Sequence, residues 1–369
     1  MLRIFWLTHL CCCIARAQPD LPPLPAGLRE CWEVYINDPQ RWVSLANQHL
    51  GPLSSWLDSL DAALRERDQT IFVLYDHLDK IGIYDRSIRH RFAATLLGLW
   101  MSLTNRYTHL RAKIFLREDI FEATQQSFAD ASKLQSRSLS LDWDLPSLFR
   151  MLIRHMVAAS PDLREWIQRG TKGIALTEHT ILGWMPPERM PEKGKNSQKN
   201  LIDHLAGEMM GKGLKKGYTY RWIPNRLQDA HVRVVPRSLL NLIGFAAEAA
   251  LPQGSARGDR LLTPDDLQRA LAKTSSYRVA ELVEEHKVVR RLENLRGVTV
   301  MLDPETVAAR LARPLGSEDD RFGDDGHAVR DELVRLGVLS VRPDGRIDVP
   351  DIYRYGFGIK RKGGVKRPA

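Results

Sequence analysis

The sequence predicts an α/β segment in the first part of the chain and a mainly α part after it. Ile71 to Tyr75 is a short, continuous apolar run, typical of a strand buried in a parallel sheet, and Ala112 to Leu116, apolar apart from Lys113, predicts a second short buried strand. Between them, Asp85 to Leu110 carries apolar residues at helical spacing, which predicts a long helix whose buried face begins at Ile88. Further along the chain helical patterns dominate, and one hairpin pattern lies near the end. Ser160 to Asn200 predicts a helical piece followed by a flexible loop.

Length and composition are those of a globular protein with two or three domains, since the chain has 369 residues. The net charge of +9 favours an anionic partner only weakly. The four cysteines form no C-x-x-C pair, which suits a reducing compartment. No apolar run of about 18 residues occurs, so we predict no membrane crossing and a cytoplasmic protein.

The segment from Met1 to Ala17 has the pattern of a signal peptide, with Arg3, an apolar run and a small-x-small end. Thr8 and His9 interrupt that run. Cleavage would also leave a single cysteine. We therefore predict a buried helix of the first domain, with a signal peptide as the alternative.

Charged residues follow both predicted strands. Asp76 comes directly after the first, and Asp79 lies three residues later. In open α/β sheets ligands bind beyond the carboxyl ends of strands, where a carboxylate can meet a phosphate-bound Mg²⁺. The alternative is an Asp that caps the next helix. Arg117 follows the second strand, where its planar fork of donors suits a γ-phosphate, or an ion pair with a neighbouring acid.

The last third predicts helices followed by a hairpin, which is the order of a winged helix. Helix starts are marked at Thr263 and at Asp303, and Pro236 opens an earlier helix that carries Arg237. A long helix is predicted from Tyr277 to Leu295. A helix from His327 to Leu336 precedes the hairpin, Val338 to Val349, which turns at Pro343-Asp344-Gly345. The predicted domains are 1–155, 156–252, 253–353, which is the winged helix, and 354–369, a basic tail.

Basic residues in the hairpin and tail are candidates for contact with nucleic-acid phosphates. They are Arg342, Arg346, Arg354, Lys360, Arg361 and Lys362. Tyr353, Tyr355 and Phe357 beside them could stack on bases, or form an edge strand that closes the domain. Trp143 is expected to anchor the core rather than stack on a base.

The segments IFVLYDHLDKIG, KIFLREDIF and FADASKLQSRSLSLDWDLPSLFRMLIRHM occur in an order that resembles a family of bacterial P-loop ATPases, related to the STAND-like branch of the AAA+ group. The resemblance covers about Ile71 to Ile359 and is stronger in its first half. It implies that Asp76 is the Walker B carboxylate, Asp79 a second acidic residue of that motif and Arg117 a sensor. It also implies that residues 1–155 are an incomplete P-loop core and that 156–252 is a helical lid, in which Arg237 would be a second sensor. ATP and Mg²⁺ would be the cofactors.

The Walker A pattern G-x-x-x-x-G-K-[ST] does not occur in the sequence. In the resembled family it lies upstream of Walker B, so it is expected before Met1 if it exists. We expect a truncated or degenerate ATPase that acts as a nucleotide-controlled regulatory or defence switch, with a homo-oligomer or a partner protein. The alternatives are a non-catalytic winged-helix protein that binds nucleic acid and a pseudo-ATPase scaffold.

Overall fold

The computed structural model describes residues 1–29, 44, 47–48, 50–82, 86–125, 131–170, 174–188, 197–211, 217–253, 259–316 and 322–361. The described chain is mainly helical, with a few two-stranded sheets. It divides into two compact units, Met1–Ser140 and Leu141–Ala369. No helix in these described ranges is both long and apolar enough to cross a bilayer.

The first unit packs helices against a pair of strands. Its elements are α1 (Leu2–Ala17), α2 (Leu50–Glu66), β1 (Ile71–Tyr75), α3 (Arg86–Arg106), β2 (Leu110–Ile114), α4 (Glu118–Gln125) and α5 (Ala131–Gln135). The predicted buried helix at the start of the chain is confirmed: Trp6, Leu10 and Ile14 lie one turn apart and all are buried. They belong to one core with the buried leucines of α2 and α3.

Strands β1 and β2 are parallel, with Ile71 opposite Leu110 and Tyr75 opposite Ile114. The predicted bounds of β1 are confirmed, whereas β2 begins two residues earlier than predicted. The prediction that β1 is fully buried is wrong, because Phe72 is 56 % and Leu74 is 66 % exposed. The helices therefore cover one face of β1 and leave the other open.

Helix α3 is shorter than predicted and buries less of its beginning. It ends at Arg106, and the following loop is held where the His109 amide donates to Asp61 (2.8 Å). Ile88, predicted to be buried, is 40 % exposed. The Trp6 indole of α1 meets α3 four residues after Ile88, where it donates to the Phe92 carbonyl (3.0 Å).

The second unit is built mainly of helices. Its helices are α6 (Leu145–Ala159), α7 (Pro161–Gly170), α8 (Ser197–Ala206), α9 (Thr219–Leu227), α10 (Pro236–Ala250), α11 (Pro264–Glu285), α12 (Pro304–Leu311), α13 (Gly326–Arg335) and α14 (Asp351–Arg354). The three helix starts predicted from local signals are confirmed. Pro236 opens α10, Thr263 and Asp266 form a reciprocal capping box on α11, and Asp303 caps α12.

Short strands of the second unit form three pairs. The strands are β3 (Thr177–His179), β4 (Gly183–Met185), β5 (Thr299–Val300), β6 (Ser340–Val341), β7 (Ile347–Asp348) and β8 (Lys360–Arg361). β3 pairs with β4 and β6 with β7, both antiparallel, whereas β5 and β8 are parallel. The β3–β4 hairpin lies where the sequence predicted a helical piece and a flexible loop. The β6–β7 hairpin is confirmed.

Two further predictions in this unit are wrong. The helix predicted from Tyr277 to Leu295 ends at Glu285, because His286 takes an extended conformation and 3₁₀ turns continue over Lys287–Leu295. Apolar residues are buried in the 3₁₀ turns as they would be in an α-helix. The spacing of apolar residues therefore does not distinguish 3₁₀ turns from a continued α-helix. The segment after the hairpin forms α14 rather than an edge strand.

The end of the second unit places α12, α13 and the β6–β7 hairpin in sequence. Gly337, at φ +72°, ends α13 in the left-handed conformation that glycine favours. An isolated bridge pairs Leu302, just before α12, with Ile347 on β7. The hairpin therefore has a third chain segment along one side.

Candidate functional site

The first candidate site lies at the carboxyl edge of the β1–β2 sheet. Asp76 follows β1 and is exposed. Its Oδ1 accepts a hydrogen bond from the backbone amide of His77 (2.7 Å), and His77 turns the chain with φ +57°. A 3₁₀ turn, Leu78–Lys80, follows, with Leu78 buried and Asp79 half-buried. The turn thus holds both carboxylates beyond the end of the strand.

Arg117 lies at the same edge, beyond the end of β2. The ladder continues one step past the strands, since the Phe115 amide donates to the Tyr75 carbonyl (2.9 Å). The guanidinium of Arg117 forms a two-pronged ion pair with Asp119 (3.1 and 3.3 Å). The predicted alternative of an ion pair with a neighbouring acid is therefore observed.

The carboxylate oxygens at this edge are of the ligand type that Mg²⁺ prefers in proteins. Mg²⁺ in phosphate sites is usually held by one or two carboxylates together with waters and phosphate oxygens. Within the described residues, only the His77 amide bonds the Asp76 carboxylate, which leaves its second oxygen for a ligand. The described part of the chain has no group of three or more His, Cys, Asp or Glu side chains that could hold a metal by themselves.

Arg237, the predicted second sensor, belongs to the second unit. It lies in the first turn of α10 and its Nη1 donates to Glu281 on α11 (3.0 Å). That hydrogen bond holds the pKa of Arg237 above its ordinary value. The side chain is largely exposed and ties two helices of the same unit together.

The basic residues predicted to contact nucleic acid are mostly paired with acids. Four described arginines contact carboxylates: Arg342 with Asp348 (3.0 Å), Arg346 with Asp344 (2.5 Å), Arg354 with Asp351 (2.9 Å), and Arg361 with Asp348 and Asp351 (2.9 and 3.1 Å). Lys360 is exposed on β8. Lys362 lies outside the described residues.

Asp348 and Asp351 are two buried aspartates that share Arg361 as a partner, and the sequence did not indicate them. Both side chains are nearly inaccessible, and Arg226 of α9 also reaches Asp351. Burial raises the pKa of Asp351, but Arg226, Arg361 and Arg354 outweigh it, so the pKa lies below its ordinary value. No local pattern indicates this cluster, because Arg226 and Asp351 are 125 residues apart.

The aromatic candidates do not form a stacking surface. Tyr353 and Phe357 are buried in the core of the second unit, and the exposed Tyr355 lies under the Arg354 guanidinium at 4.2 Å. Trp143, predicted as a core anchor, is 43 % exposed. It lies just before Asp144, the residue that caps α6. Trp143 is therefore outside the helix, whose buried residues begin at Leu148.

Comparisons of the chain with known protein families, with curated proteins and with solved structures found no match. The functional evidence is therefore the geometry of the residues. Asp76, Asp79 and Arg117 share one region of the first unit, at the edge of a parallel strand pair. Arg237 and the arginines near the end of the chain lie in the second unit and contact acids there.

Proposed function

We propose that this protein is a nucleotide-controlled switch of the STAND-like P-loop ATPase type, in a form that lacks Walker A within this sequence. The first unit would supply the Walker B and sensor edge. The second unit would supply the helical lid and a winged helix. The observation that carries the proposal is the parallel β1–β2 pair, which has Asp76 beyond one strand and Arg117 beyond the next.

The residues at this edge would divide the work. Bound Mg²⁺ would supply positive charge against nucleotide phosphates. Asp76 would hold it through the carboxylate oxygen that the His77 amide leaves open. Asp79 would orient a water molecule. Arg117 would exchange Asp119 for a phosphate, so its ion pair would be the ground state of the switch.

The order of elements at the end of the second unit supports the winged-helix part of the proposal. Helices α12 and α13 lead into the β6–β7 hairpin, and Leu302 pairs with its second strand. On α13, Arg330 pairs with Asp331 (2.8 Å) and Arg335 with Glu332 (2.8 Å). Sequence-specific DNA binding would need such arginines to reach base edges. We therefore favour contact with a protein partner over nucleic acid.

The test is the thermal unfolding of the full chain with and without Mg-ATP. A ligand at about a hundred times its dissociation constant adds roughly 2.7 kcal/mol to the free energy of unfolding. We expect a rise in the unfolding temperature that is lost in Asp76→Asn. Asp20→Asn, a change of another exposed aspartate in the same unit, should keep the rise.

The opposite results would separate the alternatives. No rise with Mg-ATP, or a rise that survives in Asp76→Asn, would refute a nucleotide site at this edge. Binding to duplex DNA that weakens steeply as salt rises would instead support the nucleic-acid function, because phosphate contacts release counterions.

A further inference from the structure

Among the described residues, β2 pairs with one edge of β1 and no strand pairs with the other, outer edge. The Ile71 amide donates to His109 and the Tyr75 carbonyl accepts from Phe115, so the backbones of Ile71, Val73 and Tyr75 face β2. In a parallel ladder alternate residues bond to the same neighbour. The backbone groups of Phe72 and Leu74 therefore point away from β2, and no hydrogen bond reaches them from any described residue.

The side chains of the same two residues are also exposed, and the Lys113 ammonium of β2 lies 5.7 Å from the centre of the Phe72 ring. The strand Ile71–Tyr75 contains no charged residue and no proline. β2, in contrast, carries Arg111 and Lys113, and charged side chains on an edge strand discourage pairing with another chain. The neutral strand β1 can pair with an identical strand without charge repulsion.

We infer that β1 pairs antiparallel with β1 of a second copy, about a two-fold axis through Val73. Phe72 of each copy then lies opposite Leu74 of the other, and these pairs exchange backbone hydrogen bonds. The result is a four-stranded sheet with helices on one face. On the other face the two exposed side chains of each copy form one apolar cluster. Each copy uses its open edge once, so the assembly closes as a dimer.

Charge selects this register over its neighbours. With Phe72 opposite Phe72, Asp76 would oppose Asp68 of the other copy, and this repulsion would occur twice. With Leu74 opposite Leu74, Asp76 would oppose Phe72. In the inferred register Asp76 opposes Thr70, whose hydroxyl can donate to the carboxylate. The inference does not depend on nucleotide binding.

Analytical ultracentrifugation of the full chain across a wide concentration range tests the dimer. We expect a reversible monomer–dimer equilibrium. Leu74→Lys should abolish the dimer, because two ammonium groups would enter the apolar cluster. Leu139→Lys, the same change at an exposed leucine outside the sheet, should leave the dimer intact. Circular dichroism should show that both variants remain folded, since both positions are exposed.

A cysteine at the two-fold axis tests the register. Val73 would face its own copy as a non-hydrogen-bonded pair, with Cα atoms about 4.5 Å apart, which is within disulfide range. We expect mild oxidation to convert more of the Val73→Cys variant into a covalent dimer than of the wild type, whose native cysteines set the background. The Leu139→Cys variant should form no more covalent dimer than that background. A monomer at all concentrations, a Leu74→Lys dimer, or a wild-type dimer whose Val73→Cys form does not link would each overturn the inference.

Discussion

Two aspartates, Asp76 in the first unit and Asp351 in the second, show opposite uses of the same side chain. Asp76 is exposed, and one backbone amide bonds its carboxylate. Asp351 is buried and contacts the guanidinium groups of Arg226, Arg354 and Arg361. Each lies shortly after a strand: Asp76 directly follows β1, and Asp351 begins α14, three residues after the end of β7.

The difference teaches which carboxylate is available for a ligand. Removing a charge from water costs several kcal/mol, and Asp351 recovers this only because three arginines surround it. Those arginines occupy its oxygens, so Asp351 stabilises the fold and cannot bind a cation. Among the described residues, Asp76 makes no such contacts and keeps an oxygen for a ligand, at little cost to stability. Asp266 is intermediate: it is buried, and Thr263 supplies neutral donors to it at 2.7 and 2.8 Å.

The largest effect is expected for Asp351→Ala. Removing one partner of a buried ion pair typically costs about 3–5 kcal/mol; here Arg226 and Arg354 would lose their carboxylate, whereas Arg361 would keep Asp348. We expect a loss of this size in the free energy of unfolding, measured by urea denaturation. Asp344→Ala is the matched control, since Asp344 pairs with Arg346 at the surface of the same unit. It should unfold close to wild type, and equal losses in both variants would contradict the comparison.

Acid should reduce the contribution of Asp351. Its pKa lies below the ordinary value of 3.8, so its stabilisation is fully present above pH 3.8 and is lost as pH falls through the folded-state pKa. The difference in unfolding free energy between wild type and Asp351→Ala should therefore be constant near neutral pH and shrink below pH 3.8. If the difference in unfolding free energy between wild type and Asp351→Ala already shrinks near neutral pH, the ion-pair explanation is wrong.

A smaller effect is expected at the capping box of α11. Thr263→Ala removes the hydroxyl that bonds Asp266 and should cost about 1 kcal/mol, measured by urea denaturation. Thr263→Ser keeps the hydroxyl and should recover most of that loss. If serine were as damaging as alanine, the loss would come from the threonine methyl group and not from the cap.

Features set by a few consecutive residues were predictable from the sequence. The cap at Thr263 and the start of α12 after Asp303 depend on contacts within one helical turn. The bounds of β1 follow from an apolar run between polar residues. The helix break at His286 was missed, because no glycine or proline marks it.

Features set by distant contacts were not predictable. An apolar run looks the same whether one face or both are covered, so the exposure of Phe72 and Leu74 left no sign in the sequence. Two arginine partners of Asp351 come from other elements, Arg226 from α9 and Arg361 from β8, whereas Arg354 lies three residues along α14. At the candidate site, the common edge of Asp76 and Arg117 followed from their places after two strands. The choice of Asp119 as the partner of Arg117 needed the structure.

The smallest effect on stability is expected for Asp76→Asn without nucleotide. The side chain is exposed, and asparagine keeps an oxygen that can accept from the His77 amide, so the free energy of unfolding should change by less than about 0.5 kcal/mol. Urea denaturation of the variant beside wild type measures this, with Asp20→Asn as the control at another exposed aspartate. A loss as large as that of Asp351→Ala would mean that Asp76 is a structural carboxylate, and the contrast between the two aspartates would fail. A near-zero change means that any loss of nucleotide response in this variant reports on the ligand and not on the fold.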